Sequence, residues 1–217
     1  MVSDYAASVQ GVALRVVKLA ADGTPFTGAT GNGWVTNQFV SLSFTPTYSE
    51  GEEIEVKAAD GTTCVYYQVP DVMKNVEIEL SICAPEPELT ALLVGGTLFG
   101  TQPDYVGYAA PTLGSIGTPN GVSVEVWSKA IVGGKIASIN PYWWWVFPYT
   151  TWTPSGERVL ENGAMANVFS GVGVGNANWG DGPLAAQPWP YTSASAYQYA
   201  RAAATKVPAT TGPVAVT

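Results

Sequence analysis

Asn75-Val76-Glu77-Ile78-Glu79-Leu80-Ser81-Ile82-Cys83 is the stretch from which the fold is read. Successive strand residues point to opposite faces, so Val76, Ile78, Leu80 and Ile82 share one face and Glu77, Glu79, Ser81 and Cys83 the other. One face is core and one is wet. Immediately downstream, Ala84-Pro85-Glu86-Pro87-Glu88-Leu89-Thr90-Ala91-Leu92-Leu93-Val94-Gly95-Gly96 has prolines and acids in a first turn, leucines at 89, 92 and 93, and glycine past the end. Those signals predict one short helix. Upstream, strands are expected at about 38–46, 52–58 and 62–69, the last two joined by Asp60-Gly61, a two-residue hairpin turn. The first strand, Val12 to Ala20, runs into Asp22-Gly23, and the likeness of residues 17–24 to 56–62 reads as shared hairpin grammar rather than a repeat.

The rest of the chain is punctuated in the same way. Residues 23–37 are Gly-rich and aperiodic, which predicts a long loop; residues 97–120 are a second such excursion, closed by Asn120-Gly121 before a strand from Val122 to Val132. A Gly133-Gly134 turn leads into Lys135–Phe147, and a further strand pair is expected within 157–174. The alanine-rich run 193–206 predicts a short helix and 207–217 an extended arm. With 24 Gly and 16 Pro, the class is all-β: a β-sandwich or partly open barrel with one short helix. The chain reads as an N-terminal arm (1–10), one body (11–192) and a C-terminal short helix and arm (193–217).

Composition bounds the function. The 217 residues carry 9 Lys+Arg against 17 Asp+Glu, a formal charge of −8. Only 12% are charged, about half the roughly 25% usual for soluble domains. Apolar residues make up 47%, including 8 Trp. Disorder is excluded, and a surface so poor in charge is expected to self-associate or to bind through aromatic groups. Histidine is absent, which removes Ser-His-Asp and Cys-His nucleophiles, His-ligated zinc and histidine pH switches. Without a Lys/Arg run, a grip on nucleic-acid phosphates is not expected. No stretch approaches about 18 consecutive apolar residues. Met1-Val2-Ser3-Asp4-Tyr5 does not join a basic start to an apolar run, so neither membrane span nor secretion signal is expected.

Paired carboxylates are the catalytic chemistry left open, with Glu77 and Glu79, Glu53 and Glu55, or Glu125 as candidates. Alternating acids on an amphipathic strand are more simply its solvated face, so no catalytic residue is expected, and neither metal nor cofactor. In Trp143-Trp144-Trp145 neighbouring rings point to opposite faces. Either Trp144 packs in a core and its neighbours lie in a protein interface, or the reverse, with Trp143, Trp145 and Trp152 as the interface candidates. Gly171-Val172-Gly173-Val174-Gly175 lacks the strand-to-helix context of a nucleotide site and reads as glycines in a strand or turn. Cys64 and Cys83 read as half-buried thiols in neighbouring strands, a disulfide remaining open.

Glu50-Gly51-Glu52-Glu53-Ile54-Glu55-Val56-Lys57-Ala58-Ala59-Asp60-Gly61, Cys64-Val65-Tyr66-Tyr67, Pro70-Asp71-Val72-Met73-Lys74, Glu77–Cys83 and Pro85–Leu93 follow a set order. A hairpin with an acidic turn precedes a strand of alternating acids, a short helix and a Gly-rich segment. This order resembles the major tail tube proteins of siphophages, particularly those infecting actinobacteria. Trp179-Gly180-Asp181-Gly182-Pro183 and Pro188-Trp189-Pro190 are similar to their C-terminal part, and the likeness spans about residues 11–190. The Trp-rich segment 143–152 departs from the family pattern.

The resemblance implies a β-sandwich whose sheets join those of its neighbours into a ring barrel, with six-membered rings stacked into a tube. It implies a virion (tail) location after assembly in the host cytoplasm. Its partners would be copies of itself, tape-measure, tail terminator and baseplate proteins, and phage DNA passing without specific binding. An acidic wall would repel phosphates, with Glu77 and Glu79, then Glu53 and Glu55, as lumen candidates. Ring-stacking loops would be 23–37 and 97–120, with Trp34, Tyr105 and Tyr108 as candidates, and the C-terminal arm would strap a neighbour. A carbohydrate-binding or receptor-contacting β-sandwich and a capsid-decorating protein are the alternatives.

Overall fold

The computed structural model describes residues 5–26, 28–101, 104–117, 121–155, 167–180 and 194–215. In chain order the elements are β1 (Ala7–Lys18), β2 (Thr30–Thr36), β3 (Phe39–Ser49), β4 (Glu53–Lys57), β5 (Thr63–Gln68), β6 (Val72–Ile82), α1 (Pro87–Val94), β7 (Thr97–Thr101) and β8 (Asp104–Ala109). They continue with β9 (Val122–Val132), β10 (Lys135–Ile136), β11 (Tyr142–Ser155), β12 (Asn167–Val174), β13 (Gln198–Ala202) and β14 (Gly212–Ala215). A ten-stranded sheet runs in the order β14-β2-β1-β9-β11-β12-β6-β3, with β10 beside β9 and β13 beside β11. Every pairing is antiparallel. β4–β5 and β7–β8 are separate two-stranded hairpins. The fold is all-β with one short α-helix.

The sheet is open at β14 and β3, and it curls. Phe39 at the start of β3 comes back over β1, where a Cβ on Gly11 would collide with its ring. The curl encloses a core of Leu14 and Val16 (β1), Val76, Ile78, Leu80 and Ile82 (β6), Val122 and Val124 (β9), Phe147, Trp152, Phe169 and the helix residues Leu89 and Leu93. The apolar face expected of 75–83 is therefore the one that is buried.

A second cluster covers the opposite face of β1, β9 and β11, built from Ala13, Leu19, Trp127, Trp144, Val146, Trp179 and Ala202. β9, the Ala13–Val17 stretch of β1 and the part of β11 around Trp144–Phe147 are thus covered on both sides. Trp127 stacks on Trp144 with ring centroids 5.6 Å apart, so of the two arrangements open to the Trp run it is Trp144 that is buried. In this face Arg15 lies opposite Glu125 in register. The Arg15 Nε–H donates to Glu125 Oε2 at 2.6 Å, with Nη2 on the same oxygen. The guanidinium also sits 5.5 Å from the Trp127 ring centroid. Burial pushes the Glu125 carboxyl above its usual range, while Arg15 and the Trp144 indole pull it back.

α1 starts with Pro at its first turn. The Glu86 carboxylate does not cap the helix; it accepts from Trp34 Nε1 and Thr36 Oγ1, each at 2.6 Å, and so ties the helix start to β2. The shared turn grammar is visible in atoms. Asp22 Oδ1 accepts from the N–H and hydroxyl of Thr24, and Asp60 Oδ1 from those of Thr62. These bonds hold both aspartates below the usual carboxylate range.

Several sequence expectations are corrected. Residues 23–37 are not one loop, because β2 occupies 30–36 between β14 and β1. The excursion 97–120 contains the β7–β8 hairpin. The N-terminal arm is shorter than 1–10, since β1 starts at Ala7 and pairs with Ile131. The short helix expected in 193–206 is instead strand β13 and a 3-10 turn at Ala204–Lys206; pairing with β11 overrides the helix propensity of alanine. Within the expected C-terminal arm, Gly212–Ala215 is a strand that pairs with β2 of its own chain. Cys64 and Cys83 are exposed and unbonded, and they are not in neighbouring strands: Cys64 lies in β5 of the separate hairpin and Cys83 just past the end of β6.

The buried ion pair sets an expected outcome. Glu125→Ala strands the Arg15 charge in a dry face and is expected to cost about 3–5 kcal/mol in chemical denaturation. Arg15→Met combined with Glu125→Leu is expected to recover most of that loss.

Candidate functional site

The outward face of β3, β6, β12 and β11 is built mostly from polar side chains in register, with Val168 and Val172 among them. Thr45, Glu77, Val172 and Thr151 form one row across the four strands, and Ser43, Glu79, Ser170 and Thr153 the next. Ser41, Ser81, Val168 and Ser155 form a third. The rows exist because the same strands bury Phe44, Ile78, Leu80, Trp152 and Phe169 on the other side. Glycine matters at one point: a Cβ on Gly171 would meet the Trp152 ring at 2.7 Å. β12 therefore runs with bare backbone over the indole, and the Gly-Val-Gly-Val-Gly run is a packed strand.

The first two rows line an open groove of about 440 Å³. Glu77 and Glu79 are exposed in it, flanked by hydroxyls, and none of the three rows contains Lys or Arg. Such a face accepts hydrogen bonds and repels anions; it offers a phosphate no cation. The hydroxyl rows were missed in the sequence, although Ser41, Ser43, Thr45 and Thr47 alternate there with period 2.

Glu53 and Glu55 are not part of this face. They lie on β4 in the separate hairpin, where Thr63 Oγ1 donates to Glu55 at 3.1 Å and Lys57 pairs with the same carboxylate at 3.4 Å. That ion pair is exposed and contributes little. Glu125, the other carboxylate candidate, is buried against Arg15.

The aromatic candidates divide. Trp143 and Trp145 are half-buried on one face beside β13, with Trp145 stacked on Tyr199 at 4.4 Å and Trp143 edge-on to it at 5.7 Å. Arg201 lies 5.7 Å from the Trp143 ring. Trp152 is no interface residue: it is buried in the core, and its Nε1–H donates to Thr150 Oγ1 at 2.7 Å. A lone Trp after two threonines gives no signal of which face it takes.

The stacking candidates are also repositioned. Trp34 is half-buried in β2 and bonded to Glu86. Tyr108 in β8 donates its hydroxyl to the Gly95 carbonyl at 2.8 Å, against the helix end; Tyr105 is in the same strand, paired with Gly100. Neither Trp34 nor Tyr108 projects from a free loop. The apolar residues that do stand out of 97–117 are Phe99, Val106, Leu113 and Ile116. Of the C-terminal motifs, Trp179 is buried, whereas 181–190 lie outside the described residues.

No protein-family model and no curated protein matches this sequence. Among the described residues no helix is long and apolar enough to cross a membrane, and no group of three or more His, Cys, Asp and Glu is placed to hold a metal ion.

The division of the tryptophans is checked by truncation. Trp152→Ala is expected to lower the unfolding free energy by about 3–5 kcal/mol, and Trp143→Ala by clearly less, both read by urea denaturation of the free chain.

Proposed function

We propose that this chain is a virion structural protein that assembles with copies of itself into the tube of a phage tail, as stacked six-membered rings whose polar sheet face lines the lumen. The observation that carries the reading is the cation-free face of hydroxyls and carboxylates across four strands, with Glu77 and Glu79 at its centre. DNA moving past such a wall meets no phosphate partner and does not stick. Two further features support it. The sheet keeps two unclosed ends that neighbouring copies would protect. Large apolar side chains stand exposed around it, among them Val40, Tyr48, Val106, Leu113 and Ile116, and assembly would cover them. In this reading the exposed apolar residues of 97–117 contact adjacent rings, and the chain acts without catalysis or cofactor.

A carbohydrate-binding module is the second reading, favoured by Tyr199, which is 51% exposed while stacked on Trp145. Sugar rings bind such faces. Loss of glycan binding in Tyr199→Ala, with no assembly at any concentration, would select it.

The tube reading is tested by Glu77→Lys with Glu79→Lys. Both side chains are exposed, so stability is expected to stay within about 0.5 kcal/mol and electron microscopy still to show tubes. In phage carrying the variant, genome ejection is expected to slow at low salt and recover at high salt. Unchanged ejection at every salt concentration would remove these residues from the wall, and failure of the unaltered chain to form rings or tubes would overturn the reading.

A further inference from the structure

Every side chain of the β4–β5 hairpin is exposed, yet the hairpin is not polar. Ile54 opposes Tyr67 and Val56 opposes Val65, so these four share one face, each between 43% and 56% exposed. Glu53, Glu55, Tyr66 and Gln68 form the other. A two-stranded hairpin is marginal in water, and an amphipathic one holds its shape when its apolar face is covered. Among the described residues, β4 and β5 make no extensive contact with any other strand or with the helix.

Charge indicates the cover. Residues 50–71 carry six carboxylates, Glu50, Glu52, Glu53, Glu55, Asp60 and Asp71, against one lysine, Lys57. The opposite composition occurs around β9, β10 and β13. Residues 122–155 and 194–215 contain Lys129, Lys135, Arg201 and Lys206, and their sole acid is Glu125, buried and neutralised by Arg15. There Val132, Ile136, Ile139 and Arg201 line a groove of about 460 Å³, with Ile136 and Ile139 largely exposed. The Arg201 guanidinium is fixed at its edge by donating to the Asn140 and Ile139 carbonyls at 2.7 and 2.6 Å. One surface is apolar within an acidic segment; the other is apolar and edged by Arg201, with Lys135 beside Ile136 in β10.

We propose that the β4–β5 hairpin of one copy docks by its Ile54-Val56-Val65-Tyr67 face into the Ile136-Ile139-Arg201 groove of a second copy. The contact joins two different surfaces, so it repeats from copy to copy and propagates into a closed ring or a filament. It rests on the self-assembly proposed above and names the surfaces that carry it. The acidic segment raises the rate of encounter and fixes orientation, and the apolar face supplies the affinity.

The test uses the full chain with Cys64→Ser and Cys83→Ser, because both native thiols are exposed. One preparation adds Val56→Cys and a second adds Ile136→Cys; they are mixed and treated with a short bis-maleimide. The expected product is a cross-linked dimer containing one chain of each kind, reduced at least fivefold by Lys135→Glu or by high salt. Val65→Ser with Tyr67→Ser is expected to leave the circular dichroism unchanged and to raise the concentration needed for association at least tenfold. Cross-linking of Val56→Cys chains to each other, or assembly visible by electron microscopy without the mixed product, overturns this pairing while self-assembly stands. A chain that sediments as a monomer at every concentration overturns both.

Discussion

The contact on which the rest of the sheet depends is the one between Arg15 and Glu125, a charge pair removed from water in the middle of the two longest-buried strands. Side chains alternate along a strand, so a one-residue slip between β1 and β9 would turn one charge into the aliphatic core and leave the other unpartnered. Hydrophobic residues alone would not forbid that slip, because both faces of these strands are apolar. The ion pair does. β2 and β14 lie outward from β1 on one side, and β11, β12, β6 and β3 from β9 on the other.

Elements whose neighbours in sequence agree with their neighbours in space were legible. Val76 to Ile82 alternates because one face is wet, and the helix is bounded by Pro87 and Gly95. β9 was bracketed by glycines on both sides. Where the two disagree, the sequence misled. In Thr30–Thr36 the glycines at 31 and 33 erase the period of a strand that pairing with β1 and β14 imposes. In Gln198–Ala202 the propensity of alanine for helix yields to the free edge of β11.

The candidate face shows the same division. Glu77 and Glu79 were readable as solvent-facing, since their own strand says so. Whether Glu53 and Glu55 join them depends on which strands pair across the chain, and local periodicity does not hold that information; they belong to another sheet. Trp152 is similar: alternation places it opposite Thr151 and Thr153, yet only the passage of Gly171 above the indole ring shows that its side is the core. The hydroxyl rows acquire meaning only when four strands lie side by side.

The unequal burial of the parts has a consequence for how the molecule opens. β9 is covered on both faces and bonded on both edges, so its amides are freed only when the whole sheet comes apart; among the described strands β4 and β5 are paired only with each other and open at a small fraction of that free energy. Local unfolding is thereby confined to a projecting piece. The hairpin can loosen, refold against whatever surface it meets and be altered residue by residue without a tremor reaching the centre, which keeps the chain's own folding independent of the company it keeps.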